Sequence, residues 1–338
     1  MSNYKLKSKF LSSTDRESVI DKVRKYAGYT LPYIYPDEEV TNSEEIQNDY
    51  QSLGSRAVTH LANKIMMALF QPSRPFFRME LTGEQLEQVM SSAQLDGAKI
   101  DAALAKQERE GMKVLTRKGG RTALLDALIL LIIGGDAMLY VPKGEDKLQT
   151  YSILDYDIKR DLAGEMYEAI ICEKIEFDAL DEELRSIAVT HNYKEGDTLS
   201  IFTGIERQGE RYKVWQELED ICKCNDRDGN YTKDTLPFIP LVWKLVRGNN
   251  FGTGYVEDYA GDFHFMSTTS ECTLDFVSAM TDVKHLVNPA GQTDVDELTQ
   301  APSGSYVNGT EEDLYCYTAD LSSNAAFLTE QADRVERR

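Results

Sequence analysis

From Leu53 to Leu69 the apolar residues Leu53, Ala57, Leu61, Ile65 and Leu69 recur at every fourth position, while Arg56, His60, Asn63 and Lys64 take the other faces. That spacing predicts an amphipathic helix, and the helical reading extends back to Glu44. Pro72 and Pro75 end it, because proline has no amide hydrogen to give to a helix interior. Beyond them Phe77, Met79 and Leu81 alternate with Arg78 and Glu80, the period of a strand with one buried face. Further helices are predicted over Glu84 to Ala93, Lys99 to Leu115 and Thr122 to Ile133, with breaks at Asp96-Gly97 and Gly119-Gly120. Before all of these, Ser13 or Asp15 can cap a short helix, and Pro32 and Pro36 among tyrosines indicate an extended arm of the kind that lies across a neighbour or a sheet.

The period changes near Met138, and from there to Leu245 strands dominate. Tyr167, Ala169, Ile171, Ile175 and Phe177 share a parity, and Asp178 to Ile187 forms one intervening helix. Ser200 to Arg207 faces Arg211 to Leu218 across Gln208-Gly209 as a hairpin. Gly248, Gly252 and Gly254 then act as a hinge admitting a long helix from Tyr255 to about His285, on the order of 45 Å at 1.5 Å per residue. On it Tyr259, Phe263, Met266, Leu274, Val277 and Met280 form one broad stripe suited to packing along another helix. Glu257, Glu271, Asp275 and Asp282 gather roughly 140° away. These carboxylates form either a plain solvated face or a wall that meets a polyanion. Cys272, offset from both stripes, is a candidate for a subunit contact. After Asn288-Pro-Ala-Gly-Gln-Thr, Leu298 to Tyr317 reads as turns and short strands, and Phe327 to Arg338 starts a charged helix. A β-rich segment between helical ones makes the class α+β.

At 338 residues and 41% hydrophobic content the chain can bury a substantial core in two or more lobes. Five cysteines, an odd number without framework spacing, fit a reducing cytoplasm. The apolar run Ala123 to Ile133 contains Asp126 and is shorter than the roughly 20 residues a bilayer needs, so no membrane span is expected. A net charge of −20 argues against tight wrapping of nucleic acid, whose affinity comes from Lys and Arg displacing counterions. It is compatible with DNA as a passenger, since each firm phosphate contact along a channel would act as a brake.

Little chemistry is legible. Arg117-Lys-Gly-Gly-Arg-Thr122 lacks the lysine of a phosphate-binding loop. Cys222-Lys-Cys224 has no second cysteine or histidine pair to complete a zinc site. Asp226-Arg-Asp228-Gly229-Asn230 resembles a calcium loop but puts Thr235 where a bidentate Glu belongs. His60, His191, His264 and His285 sit in no nucleophile context. No catalytic residue, cofactor or metal is expected.

Several stretches taken in order carry a resemblance. These are Tyr26-Ala-Gly-Tyr-Thr-Leu-Pro-Tyr-Ile-Tyr-Pro36 with Tyr50 to Ala57, Gly134-Gly135-Asp136-Ala-Met-Leu-Tyr-Val141, Leu236-Pro-Phe-Ile-Pro-Leu241, Gly252-Thr-Gly-Tyr-Val-Glu257, and Val287-Asn-Pro-Ala-Gly291. Together they resemble the portal, or head-to-tail connector, proteins of short-tailed bacteriophages, collinearly from about Tyr26 to Arg338. The resemblance implies a portal fold: an N-terminal arm over 1–45, a helical wing over 46–141, a β-rich wing or clip segment over 142–250, a long stem helix over 251–290, and a wing return with the start of a further long helix over 291–338. Family members continue past that point into a tunnel loop and a crown, so the chain is expected to match an earlier portion of a subunit and to lack the C-terminal third. The resemblance further implies a homo-oligomeric ring, typically dodecameric, at one capsid vertex of the virion, assembled in the host cytoplasm. Its implied partners are capsid and scaffold proteins, terminase, tail adaptor and nozzle proteins, and duplex DNA passing without sequence-specific binding. Glu257, Glu271, Asp275 and Asp282 become the channel-lining candidates. The competing expectation is a cytoplasmic mixed α/β enzyme with dispersed acids and no motif.

Overall fold

The computed structural model of the chain describes residues 5–36, 49–71, 74–84, 87–88, 91, 97–144, 146–281, 284–288, 290–302, 304–317, 326–327, 330 and 332–335. The chain divides into two compact units, residues 1–48 with 54–260, and residues 49–53 with 261–338.

The first unit opens with helices α1 (Leu6–Leu11) and α2 (Thr14–Gly28), then a short 3-10 turn at Pro32–Ile34. The short helix expected near Ser13 is α2, whereas the stretch from Pro32 to Pro36, expected to be extended, contains the 3-10 turn; the side chains of α1 explain where the N-terminus lies. Leu6 and Phe10 cluster with Ile170 and Phe202 of a β-sheet, the two phenyl rings edge-on at 5.8 Å. The amides of Lys5 and Leu6 donate to the buried Glu217 carboxylate at 3.1 and 3.0 Å, an anion at the positive end of α1. Ser13 precedes α2 as expected, but its hydroxyl donates to Asp157 at 3.0 Å and does not cap the helix.

Three longer helices follow: α3 (Leu53–Leu69), α4 (Gly97–Arg117) and α5 (Gly120–Ile133). Helix α3 starts at Leu53, since residues 49–52 are not helical and 41–48 lie outside the described residues. The expected helix at Glu84 to Ala93 falls mostly outside them as well. Phe77 to Leu81 forms no strand: the segment lies along α4, where the Met79 amide donates to Glu108 at 2.7 Å in place of a sheet partner. Helix α5 exposes Arg121, Thr122 and Asp126 in its first two turns, but its last turn is apolar throughout and Leu130 through Ile133 are all buried, as befits a helix end enclosed by other elements.

The β-rich segment forms two antiparallel sheets. Strands β1 (Asp136–Tyr140), β2 (Gln149–Tyr151) and β8 (Phe238–Val242) lie in the order β2-β1-β8. Pro240 sits opposite Met138 on edge strand β8, a position where proline leaves no ladder bond unmade. The second sheet is a meander of β3 (Tyr156–Arg160), β4 (Met166–Glu176), β5 (Thr198–Gln208), β6 (Arg211–Leu218) and β7 (Cys222–Thr232). The expected hairpin is present, with Gln208 paired to Arg211 across Gly209-Glu210. In β4 both Ile170 and Ile171 are buried while Tyr167 is exposed, so simple alternation fails because α1 covers a sheet face as well. Between β4 and β5, helix α6 (Glu182–Thr190) helps close an apolar end with Phe177, Leu180, Ala188, Leu199, Leu218 and Cys224.

The predicted long helix is two helices. Helix α7 (Tyr255–Asp258) ends at Tyr259, whose φ of −115° and ψ of 8° are not helical, and α8 (Ala260–Thr281) begins after it. The second unit takes up the chain again at Gly261. His285, expected at the helix end, lies in strand β9 (Lys284–Val287), paired with Cys316 of β10 (Leu314–Tyr317). Between these strands, α9 (Val295–Gln300) is capped by Asp294, whose carboxylate accepts from Asp296 and Glu297 amides. The described residues between 326 and 335 are helical, with Arg334 and Glu330 paired at 2.7 Å.

Candidate channel surface and a buried junction

The four carboxylates proposed as a wall are not placed on one continuous helix. Glu257 belongs to α7 and is half-buried, with its carboxylate 2.8 Å from Lys22 of α2. Its charge is therefore matched within the first unit. Glu271 and Asp275 are both exposed on α8, four residues apart and so on one face. Asp282 lies outside the described residues. The apolar stripe is unevenly covered: Met266 is buried, whereas Leu274 and Val277 are 56% and 51% exposed. Cys272 is exposed as a free thiol.

A second constellation was not foreseen. The quoted stretches ending at Pro36, Val141, Leu241 and Glu257 meet at one buried carboxylate, Asp136. It opens β1, immediately after Gly134-Gly135, and accepts a hydrogen bond from the Gly252 amide. Its other oxygen stands 3.5 Å from Arg160, an ion pair 1% and 4% exposed on its two sides. Arg160 is anchored further by donating to the carbonyls of Asn250 and Gly164 at 3.0 and 3.2 Å. Burial pushes the Asp136 carboxyl up to about 6, against the opposing pull of the Gly252 hydrogen bond and the Arg160 charge. Burial likewise pushes the Tyr35 and Tyr156 phenols up, so neither ionises beside Asp136 near neutral pH.

Glycine is required at this junction by space. Gly135 has φ of 87°, and a Cβ there would strike the backbone of Thr253 and Gly254. A Cβ on Gly254 would meet the Ile133 carbonyl. The Gly135 carbonyl accepts from Trp243 at 2.9 Å, and the Thr253 amide donates to Lys244 at 2.8 Å, binding the chain after β8 to the start of β1. The arrangement fixes how α7 leaves the sheet. A sequence signal existed in the unusual density of glycine around one acid, but only the fold shows that Arg160 answers it.

Collinear stretches that converge on one buried node are the mark of a shared fold, and comparison with known proteins identifies which. The family model described as "Bacteriophage head to tail connecting protein" matches residues 8–336. The chain belongs to this family. Its relatives include the portal protein of Enterobacteria phage SP6, 30% identical across 98% of this chain and 64% of that protein. The portal protein of Escherichia phage T7 is 29% identical across 96% of this chain and 61% of its own length, and that of Pseudomonas phage phiKMV is 28% identical across 89% and 59%. The chain thus spans roughly three-fifths of the length of the relatives it matches.

In this family member the last quoted stretch, ending at Gly291, belongs to the second unit and has a node of its own. Asp313 accepts from the amides of Gln292 and Thr293 at 2.8 and 3.2 Å and from the hydroxyls of Thr310 and Thr293 at 2.6 and 3.0 Å. The Thr310 hydrogen bond leads in holding its carboxyl below the usual range. The cysteines considered for a metal sit on β7, where Cys224 is buried in the apolar end under α6. No helix among the described residues is long and apolar enough to cross a membrane.

Proposed function

We propose that the chain acts as a portal subunit, copies of which close into a ring around a channel for duplex DNA at one capsid vertex. The observation that carries this reading is the family match over residues 8–336 together with relatives named portal proteins. The uncovered apolar residues Leu274 and Val277 support it, because such residues call for a partner surface and a head-to-tail contact that closes leaves no free end. Exposed Glu271 and Asp275 serve as the channel-facing acids of α8, with Glu257 in a supporting role through Lys22; Asp282, the fourth candidate, lies outside the described residues. Their work is to keep phosphates from settling on the wall, so that DNA slides in either direction. The protein acts by shape and charge and is not an enzyme.

The wing, clip and stem divisions fall at 46–141, 142–250 and 251–290 after an arm over 1–45, with 291–338 returning to the wing. The ring is a dodecamer built in the host cytoplasm with capsid and scaffold proteins. It docks terminase during packaging and tail adaptor and nozzle proteins afterwards. Electron microscopy of the purified protein tests the core of the proposal: rings with an open centre wide enough for a duplex are expected, and particles that remain single subunits at every concentration overturn it.

A further inference from the structure

Phe70, Phe76, Phe77 and Met79 with helix α4 carry a basic and aromatic surface on this acidic chain. Phe70, Phe76 and Phe77 stack edge-on in series, with centroids 4.9 and 5.3 Å apart. Phe77 fills the space over Gly111 of α4, and Arg121 donates to the Phe70 carbonyl at 3.3 Å. Phe76, Phe77, Met79 and Val114 are nevertheless 36% to 47% exposed. Beside them Arg74, Arg109, Lys113 and Arg117 line a groove of about 480 Å³. On α4, Arg109, Lys113 and Arg117 repeat every fourth residue, so they form one stripe. Of the helix's 21 residues only Ile100 is buried.

Aromatic rings, methionine and arginine exposed together are the composition of a protein–protein interface core. A phosphate backbone would need the cations but not the phenyl rings. The cations also select the partner's sign. The chain carries a net charge of −20, with segments such as Asp178 to Glu183 that expose Asp178, Asp181, Glu182 and Glu183 in close succession. We propose that the α4 face with Phe76, Phe77 and Met79 is a subunit contact that receives an acidic surface of a second copy of this chain. The inference rests on the ring reading above and adds which surface makes the ring.

Sedimentation velocity over a concentration series, run on the wild-type chain, Arg109→Glu/Lys113→Glu and Phe76→Ala/Phe77→Ala, tests it. Charge reversal is expected to weaken self-association on the order of tenfold or more, with the loss shrinking as salt is raised. The double phenylalanine truncation is expected to weaken it on the order of 30-fold at all salt concentrations. Zero-length carbodiimide coupling of a mixture of isotope-labelled and unlabelled chains supplies a direct readout, in which Lys113 should join a carboxylate of the other copy. Its neighbour Glu110, 2.8 Å away, is the within-chain control. Normal association by both variants, with Lys113 coupled only to Glu110, overturns the assigned surface and leaves the ring intact. A wild-type chain that never associates overturns the ring and the surface together. Loss of binding to a duplex oligonucleotide with association unchanged assigns the face to nucleic acid and overturns the proposal.

Discussion

The Asp136 junction and helix α8 are built on opposite terms. At the junction a buried acid, a buried arginine and glycines without room for a Cβ leave almost no freedom, and the side chains there touch one another. On α8, Glu271, Cys272, Leu274, Asp275 and Val277 project from an exposed helix surface. The first region is complete within one chain, and the second leaves charged and apolar side chains together on one exposed helix. The residues that make the family recognisable therefore sit largely where the fold is decided, and the candidate working surface is described by charge and exposure alone.

The contrast can be broken hardest at Asp136. Asp136→Ala leaves the Arg160 guanidinium buried without a counter-charge and should cost about 3–5 kcal/mol in urea unfolding of the first unit. A loss under 1 kcal/mol would mean that water reaches the pair. Gly135→Ala should follow at about 2–5 kcal/mol, from a side chain in the left-handed region and its collision with the Thr253 backbone.

Acidity sharpens the same point. The folded Asp136 carboxyl, held up at about 6, binds its proton more tightly than in the unfolded chain, where the value is about 4. Its contribution to stability is thus complete below pH about 4 and is lost as pH rises through about 6. The stability of wild type minus that of Asp136→Asn should fall by up to about 3 kcal/mol over this window and then level off. A difference that stays flat would show that Arg160 keeps the acid ionised throughout.

At the weak end, Lys22→Ala should cost under about 1 kcal/mol, since the pair with Glu257 is partly solvent-screened. Reversing Glu271 and Asp275 to lysine should alter stability by about 0.5 kcal/mol or less, because both are exposed. Its effect should appear in packaging, with DNA passage slowed at low salt and restored as salt is raised. Unchanged packaging at every ionic strength would remove these acids from the channel.

Sequence alone determined that helices run over α3, α4 and α5, the β5–β6 hairpin and the turn of the chain into α7, because local spacing and glycine placement express themselves within a few residues. The face that α3 buries, Gly54, Val58, Ala62 and Met66, is nevertheless not the stripe of Leu53 to Leu69 that the spacing named. It also carried the family resemblance, through stretches that keep their order even where each is short. Tertiary structure decided what periodicity cannot contain. It folded the N-terminal helix α1 onto a sheet through Glu217 and Phe202, and laid Phe77 along α4 without a strand partner. It interrupted the long helix at Tyr259, so that Glu257 belongs to a separate short helix and answers Lys22. An amphipathic spacing names a stripe, and only the packing of distant residues determines what, if anything, covers it.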